Sequence, residues 1–173
     1  MKVLPYSKSG TPQFPELWGE EERRREAECS SEERQYTSPD GNTWHYIVFD
    51  DAQVRIVGCE PACERLEIPE RIEGLPVLEI AADACSHNDD VTEIICPDSV
   101  EDIGNCAFRV CKNLRRLVLP RGISTFSPAW ARGCDSLEEL VLPGMFARLE
   151  SGIFNNGCLR TLVVGPGASE VIP

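Results

Sequence analysis

Five prolines set the frame of this chain. Pro69, Pro97, Pro120, Pro143 and Pro166 each close an apolar triplet, at intervals of 28, 23, 23 and 23 residues. The triplets are Leu66-Glu67-Ile68, Ile94-Ile95-Cys96, Leu117-Val118-Leu119, Leu140-Val141-Leu142 and Leu162-Val163-Val164, the last with Gly165 before its proline. Other positions keep the same phase. Three residues past the proline stand Ile72, Val100, Ile123 and Phe146, and six past it Ile103, Phe126, Leu149 and Ile172. Eleven past it come Phe108, Ala131 and Phe154, fourteen past it Cys111 and Cys134, and seventeen past it Leu114 and Leu137. The fourth turn slips by one residue, and the longer first interval takes up its excess around Gly74-Leu75-Pro76-Val77.

Such a register constrains the fold more than any local propensity does. Two apolar residues flanking an outward one make half of a period-2 strand, with two side chains entering a core. The proline that follows has no amide to donate, so the strand ends there. One turn alone cannot bury its apolar face. Successive turns must therefore stack, strand beside strand about 4.8 Å apart, and each periodic position becomes a ladder along the stack.

The segment Pro97-Asp98-Ser99-Val100-Glu101-Asp102-Ile103-Gly104-Asn105-Cys106-Ala107-Phe108-Arg109-Val110-Cys111 closely resembles the repeat of the bacterial BspA-like leucine-rich-repeat family. Residues 68–77 look like that family's opening turn, and the resemblance covers about residues 44–173. It implies an α/β fold: a right-handed leucine-rich-repeat solenoid, a short horseshoe of short β-strands joined by irregular or short helical turns. It also implies an interaction or adhesion role with no catalytic residues. Ala84-Cys85, Trp130-Ala131 and Ile153-Phe154 depart from the pattern only by exchanging core fillers.

Outside the repeats two segments differ. His45 to Phe49 and Val54 to Gly58 alternate around Asp50-Asp51, which predicts a β-hairpin that covers the exposed end of the first turn. Residues 1–43 carry Pro5, Pro12 and Pro15, then Glu20-Glu21-Glu22-Arg23-Arg24-Arg25-Glu26, whose i,i+4 pairs favour a helix. That arm is expected to be partly helical or flexible, lying on the hairpin or docking on a partner. The expected organisation is thus an arm (1–43), a capping hairpin (44–65) and about four and a half repeats (66–173). The chain stops within a fifth turn at Val171-Ile172-Pro173, so either the natural chain continues or this open end associates weakly with a second copy.

The chemistry-bearing residues point away from catalysis. Of the two histidines, His87 neighbours Cys85, but Cys85 holds a core position of the repeat and the stretch after it reads as a turn. Cys59 and Cys63 suggest zinc or a local disulfide, yet a structural zinc site needs four ligands and no second clustered pair stands near. The nine cysteines are odd in number and mostly occupy repeat positions, where a thiol is an apolar filler, which favours a reducing compartment. No cofactor, metal or catalytic site is expected.

A net charge of −12, from 29 acidic and 17 basic residues, opposes nucleic acid and anionic membrane surfaces. No apolar run approaches the roughly 20 residues that span a bilayer. Without a visible secretory signal the chain reads as cytoplasmic, or as cell-surface if the natural protein is longer. The expected partner is a protein or a neutral glycan. The surface expected to meet it is the outward face of the strands: Arg65, Glu67, Glu93, Ile95, Arg116, Val118, Glu139, Val141 and Val163. The alternative is a structural segment of a longer bacterial surface or adhesion protein.

Overall fold

The computed structural model of the chain describes residues 32–49, 52–123, 130–142 and 158–165. The N-terminal strands are β1 (Arg34–Thr37), β2 (Thr43–Phe49) and β3 (Gln53–Glu60). The first turn carries β4 (Arg65–Glu67), β5 (Arg71–Ile72) and β6 (Leu75–Ile80). After it come β7 (Glu93–Ile95), β8 (Asp102–Ile103), β9 (Arg116–Val118), β10 (Glu139–Leu142) and β11 (Thr161–Val164).

The proline-closed triplets form one parallel sheet in the order β4-β7-β9-β10-β11. Its register runs Arg65↔Glu93↔Arg116↔Glu139↔Thr161, one position per turn. The residue closing each triplet still donates to the next turn: Ile68 N to Ile95 O at 3.0 Å, Cys96 N to Val118 O at 2.9 Å, Leu119 N to Val141 O at 3.0 Å. The proline that follows has no amide with which to extend the ladder. The inward residues of each strand stack into the core, where Leu66, Ile94, Leu117 and Leu140 are all buried. Ala84, Ala107 and Trp130 form a second buried row, and Val91, Leu114 and Leu137 a third.

A second sheet is built from the N-terminal strands. β2 and β3 form the antiparallel hairpin, β1 adds to its outer edge, and β3 pairs in parallel with β6. Trp44, Tyr46, Val54 and Ile56 thereby join the same buried cluster as the repeat leucines. The excess length of the first turn is itself a hairpin, β5 against β6, reversed at Glu73 and Gly74 with φ of 52° and 84°. Two consecutive positive φ values are what a tight two-residue hairpin requires, and the second position suits glycine.

Of the segment 1–43, the described part holds β1 and the turn that leads into β2. Asn42 is its hub. Its side-chain oxygen accepts from Ala62 N (2.8 Å), and its amide donates to Asp40 Oδ2 (2.7 Å) and Arg65 O (3.4 Å). Ser38 Oγ donates to Asp40 and accepts from Trp44 Nε1 at 3.1 Å. Buried and satisfied on both sides, Asn42 ties the β1–β2 turn to the loop before β4. The helix expected over 20–25, the acidic turn at 50–51, the repeat positions Phe126, Phe146, Leu149 and Phe154, and the chain end 166–173 lie outside the described residues.

Of the α/β fold with irregular or short helical turns, the described residues show the short strands and the irregular turns, with no helix among them. The reason lies in where the amides go. Asp83, Cys85 and His87 donate to Asn105, Ala107 and Arg109 of the next turn, and Phe108 and Val110 donate to Trp130 and Arg132. An amide committed to the neighbouring turn cannot close a local i→i−4 bond. The chain also enters the left-handed region twice per turn, at Asp83 and His87 (φ 57° and 61°), then at Cys106 and Val110 (60° and 59°). Gly133 (78°) stands in phase with His87 and Val110.

Two substitutions test this account. A Cβ on Gly104 would lie 2.3 Å from Ala82 N and 2.7 Å from Ala81 C, backbone atoms of the preceding turn that have nowhere to go. Gly104→Ala is expected to lower unfolding stability by about 3 kcal/mol in denaturant titration. Val110 is β-branched and sits at positive φ, a strained combination. Val110→Asn is expected to stabilise by about 0.5–1 kcal/mol, read as a raised melting temperature.

Candidate functional site

The parallel sheet presents its outward side chains in two rows. Alternation along each strand buries the central leucine or isoleucine and turns its neighbours out, so register fixes which residues stand side by side. The first row is Arg65, Glu93, Arg116, Glu139 and Thr161. The second is Glu67, Ile95, Val118, Val141 and Val163. All nine residues expected on this face are brought together in these rows.

The first row is an ion-pair ladder. Arg65 Nε lies 3.5 Å from Glu93 Oε2, Arg116 Nη1 lies 2.6 Å from Glu93 Oε1, and Arg116 Nε lies 3.0 Å from Glu139 Oε2. Arg116 therefore sits between two carboxylates one turn away on either side. Its hydrogen bond to Glu93, reinforced by Glu139, raises its already high pKa. Opposite charges directly across neighbouring strands support the register as well as the surface. The second row has no such internal partners beyond Glu67, which reaches back to Arg65 at 3.2 Å. Ile95, Val118 and Val141 are half-buried, and Val163 is 43% exposed. A continuous aliphatic strip thus runs beside a neutralised charged one.

The other candidates are positioned differently. Cys85 is buried in the core, and His87 is exposed with Nε2 3.4 Å from Arg109 Nη2. The neighbouring Cys59 thiol, then burial, push the Cys85 thiol well above its ordinary range, so it is no nucleophile at neutral pH. Cys111 and Cys134 each donate to the backbone of the turn before, to Cys85 O at 3.2 Å and Phe108 O at 3.1 Å. Their place in the ladder is thus a hydrogen-bonding one as well as a filling one. Cys59 and Cys63 diverge: Cys63 Sγ bonds to Arg65 O at 3.0 Å, while Cys59 Sγ accepts from Asn88 Nδ2 at 3.4 Å. Among the described residues no group of three or more His, Cys, Asp or Glu is placed to hold a metal ion.

Two polar features escaped the sequence reading. Buried Arg55 and half-buried Glu79 form an ion pair across β3 and β6 at 2.6 Å, with the guanidinium 5.1 Å from the Phe49 ring centre. The Asn42 hub is the other. Its signal was present in Ser38-Pro39-Asp40-Gly41-Asn42, a turn sequence with a capping carboxylate.

An in-register stack of short parallel strands, each ended by proline and backed by turns that bond to the next turn, defines a leucine-rich-repeat solenoid. The BspA-type leucine-rich-repeat model matches residues 63–171 in six copies, and the chain belongs to that family. Among solved structures it is similar to a leucine-rich repeat protein from Bacteroides capillosus, with a TM-score of 0.60 at 21% identity. That match covers 75% of this chain and 97% of the other. A leucine-rich cell surface protein from Faecalibacterium prausnitzii matches at TM-score 0.53 and 18% identity, over 79% of this chain and 40% of its own. The leucine-rich repeat protein of T. pallidum matches at 0.54 and 23%, over 78% and 62%. No curated relative matches the chain.

If Arg116 joins the ladder on both sides, its loss should be felt electrostatically. Arg116→Ala is expected to cost about 0.5–1.5 kcal/mol of stability at low ionic strength and clearly less in about 1 M salt, because exposed pairs are weak and screened. Urea titrations at the two salt concentrations measure the difference.

Proposed function

We propose that this chain is a non-catalytic protein-interaction module that engages its partner with the outward face of the parallel sheet. The observation that carries this reading is the aliphatic strip Ile95, Val118, Val141 and Val163, held in register beside the ion-pair ladder. The charged row already satisfies itself, so the unpartnered apolar row is where a partner gains most by excluding water. The polar border on one side matches the usual anatomy of a protein interface, an apolar centre with a hydrated rim. The chain's net charge of −12 favours a partner surface that is neutral or basic. In this reading the solenoid is right-handed, as parallel crossover connections almost always are, and the β2–β3 hairpin shields the first turn's core.

A second reading is supported by the comparison with a cell surface protein of which this chain matches 40%: a structural segment within a longer surface or adhesion protein. The two readings differ in whether the strip is needed. Val118→Glu combined with Val141→Glu is expected to abolish retention of partners from a native bacterial extract. Melting temperature and circular dichroism should stay close to wild type, and an Arg132→Glu control should retain binding. Unchanged retention by the double variant would reduce the strip to strand propensity and leave the structural reading standing.

A further inference from the structure

Cys59 meets the turn that carries Cys85, although Cys63 is closer in sequence. Strand β3 and strand β6 run in parallel with Ile56 opposite Ile80, and Ala81 N donates to Ile56 O at 2.8 Å. β3 then continues through Cys59, opposite Trp44 of β2, while the chain after β6 turns through Cys85 a few residues beyond that pairing. Asn88, in the same turn as Cys85, donates to Cys59 Sγ at 3.4 Å and holds that sulfur against the turn. The Cys85 thiol lies within hydrogen-bonding reach of Cys59. Cys63 turns away to Arg65 O. Both cysteines are free. Cys59 is partly exposed while Cys85 is fully buried.

We propose that Cys59 and Cys85 are a disulfide-forming pair, oxidised by a low-molecular-weight disulfide, that staples the N-terminal hairpin to the first repeat turn. The exchange balances in two steps. The Cys59 thiolate attacks glutathione disulfide, the S–S bond of glutathione breaks, and one glutathione thiolate leaves and takes a proton from water. Cys85 then loses its proton to solvent and attacks the Cys59 sulfur, displacing the second glutathione. Two protein thiols become one disulfide while one glutathione disulfide becomes two glutathione thiols. The first step takes place at the partly exposed Cys59. The second is slow, because burial holds the Cys85 thiol protonated, so closure accelerates as pH rises.

The test uses the full chain with glutathione disulfide as the probe, followed by acid quench, alkylation and peptide mass mapping. The expected result is a mapped Cys59–Cys85 link and a melting temperature raised by several degrees that returns to its starting value with a reductant. The closure step should quicken about tenfold per pH unit across the alkaline range below the Cys85 pKa. Cys85→Ser should stop at a stable glutathione adduct on Cys59, which distinguishes loss of the resolving thiol from misfolding. A link mapped to Cys59–Cys63 would overturn the proposal. So would a wild-type chain that halts at the Cys59 adduct, or a Cys59–Cys85 link that leaves the melting temperature unchanged.

Discussion

The whole architecture depends on backbone amides finding their carbonyls one turn away. The residue before each strand shows it most plainly. Glu64 O accepts from both Thr92 N and Glu93 N, Thr92 O from Arg115 N and Arg116 N, and Arg115 O from Glu138 N and Glu139 N. The turns behind the sheet repeat the arrangement with amides of 83, 85 and 87. A single turn taken alone would leave these donors and acceptors without partners, a cost comparable to the loss of the same number of hydrogen bonds. Turns therefore fold in company, and the close approach that makes the bonds possible explains why Gly104 has no room for a Cβ.

That dependence also sets what was legible in the residues. A side chain's inward or outward direction has period 2, and the stacking has a period near 23. Where both act together, in the triplets from Leu66 to Val164, the sequence specifies the rows before any coordinates are known. The stacked repeat and the shared face of Arg65, Glu93, Arg116 and Glu139 followed from those two periods, and the family from the resemblance of residues 97–111 to its repeat. The hairpin of β2 and β3 was legible for the same reason, as plain alternation on both sides of an acidic pair.

The rest was hidden for identifiable reasons. Behind the sheet the left-handed positions are filled by Asp83, His87, Cys106 and Val110, and only Gly133 announces the conformation it adopts. Spacing there fits a short helical turn as well as the observed one, and the difference lies in long-range amide bonding that has no local signature. Strand β1 is four residues with one partly buried side chain, Tyr36, too short for alternation to register. Proximity in sequence set Cys59 beside Cys63, but Cys63 Sγ bonds to Arg65 O and Cys59 Sγ accepts from Asn88, a contact between residues 29 apart that no local pattern announces.

The same physics separates the two rows of the outward face. Ion pairs across Arg65, Glu93, Arg116 and Glu139 are made within the solenoid, so a partner that disturbed them would have to replace each one under partial desolvation. Ile95, Val118, Val141 and Val163 are held in line by the backbone register alone and lose nothing when covered. Water exclusion there is a net gain for any apolar surface of matching length, while the charged row penalises partners that set like charges against it. On this reading the aliphatic row supplies attraction and the ladder beside it supplies discrimination. The solenoid keeps both in one rigid frame, because the hydrogen bonds that stack the turns are the ones that align the rows.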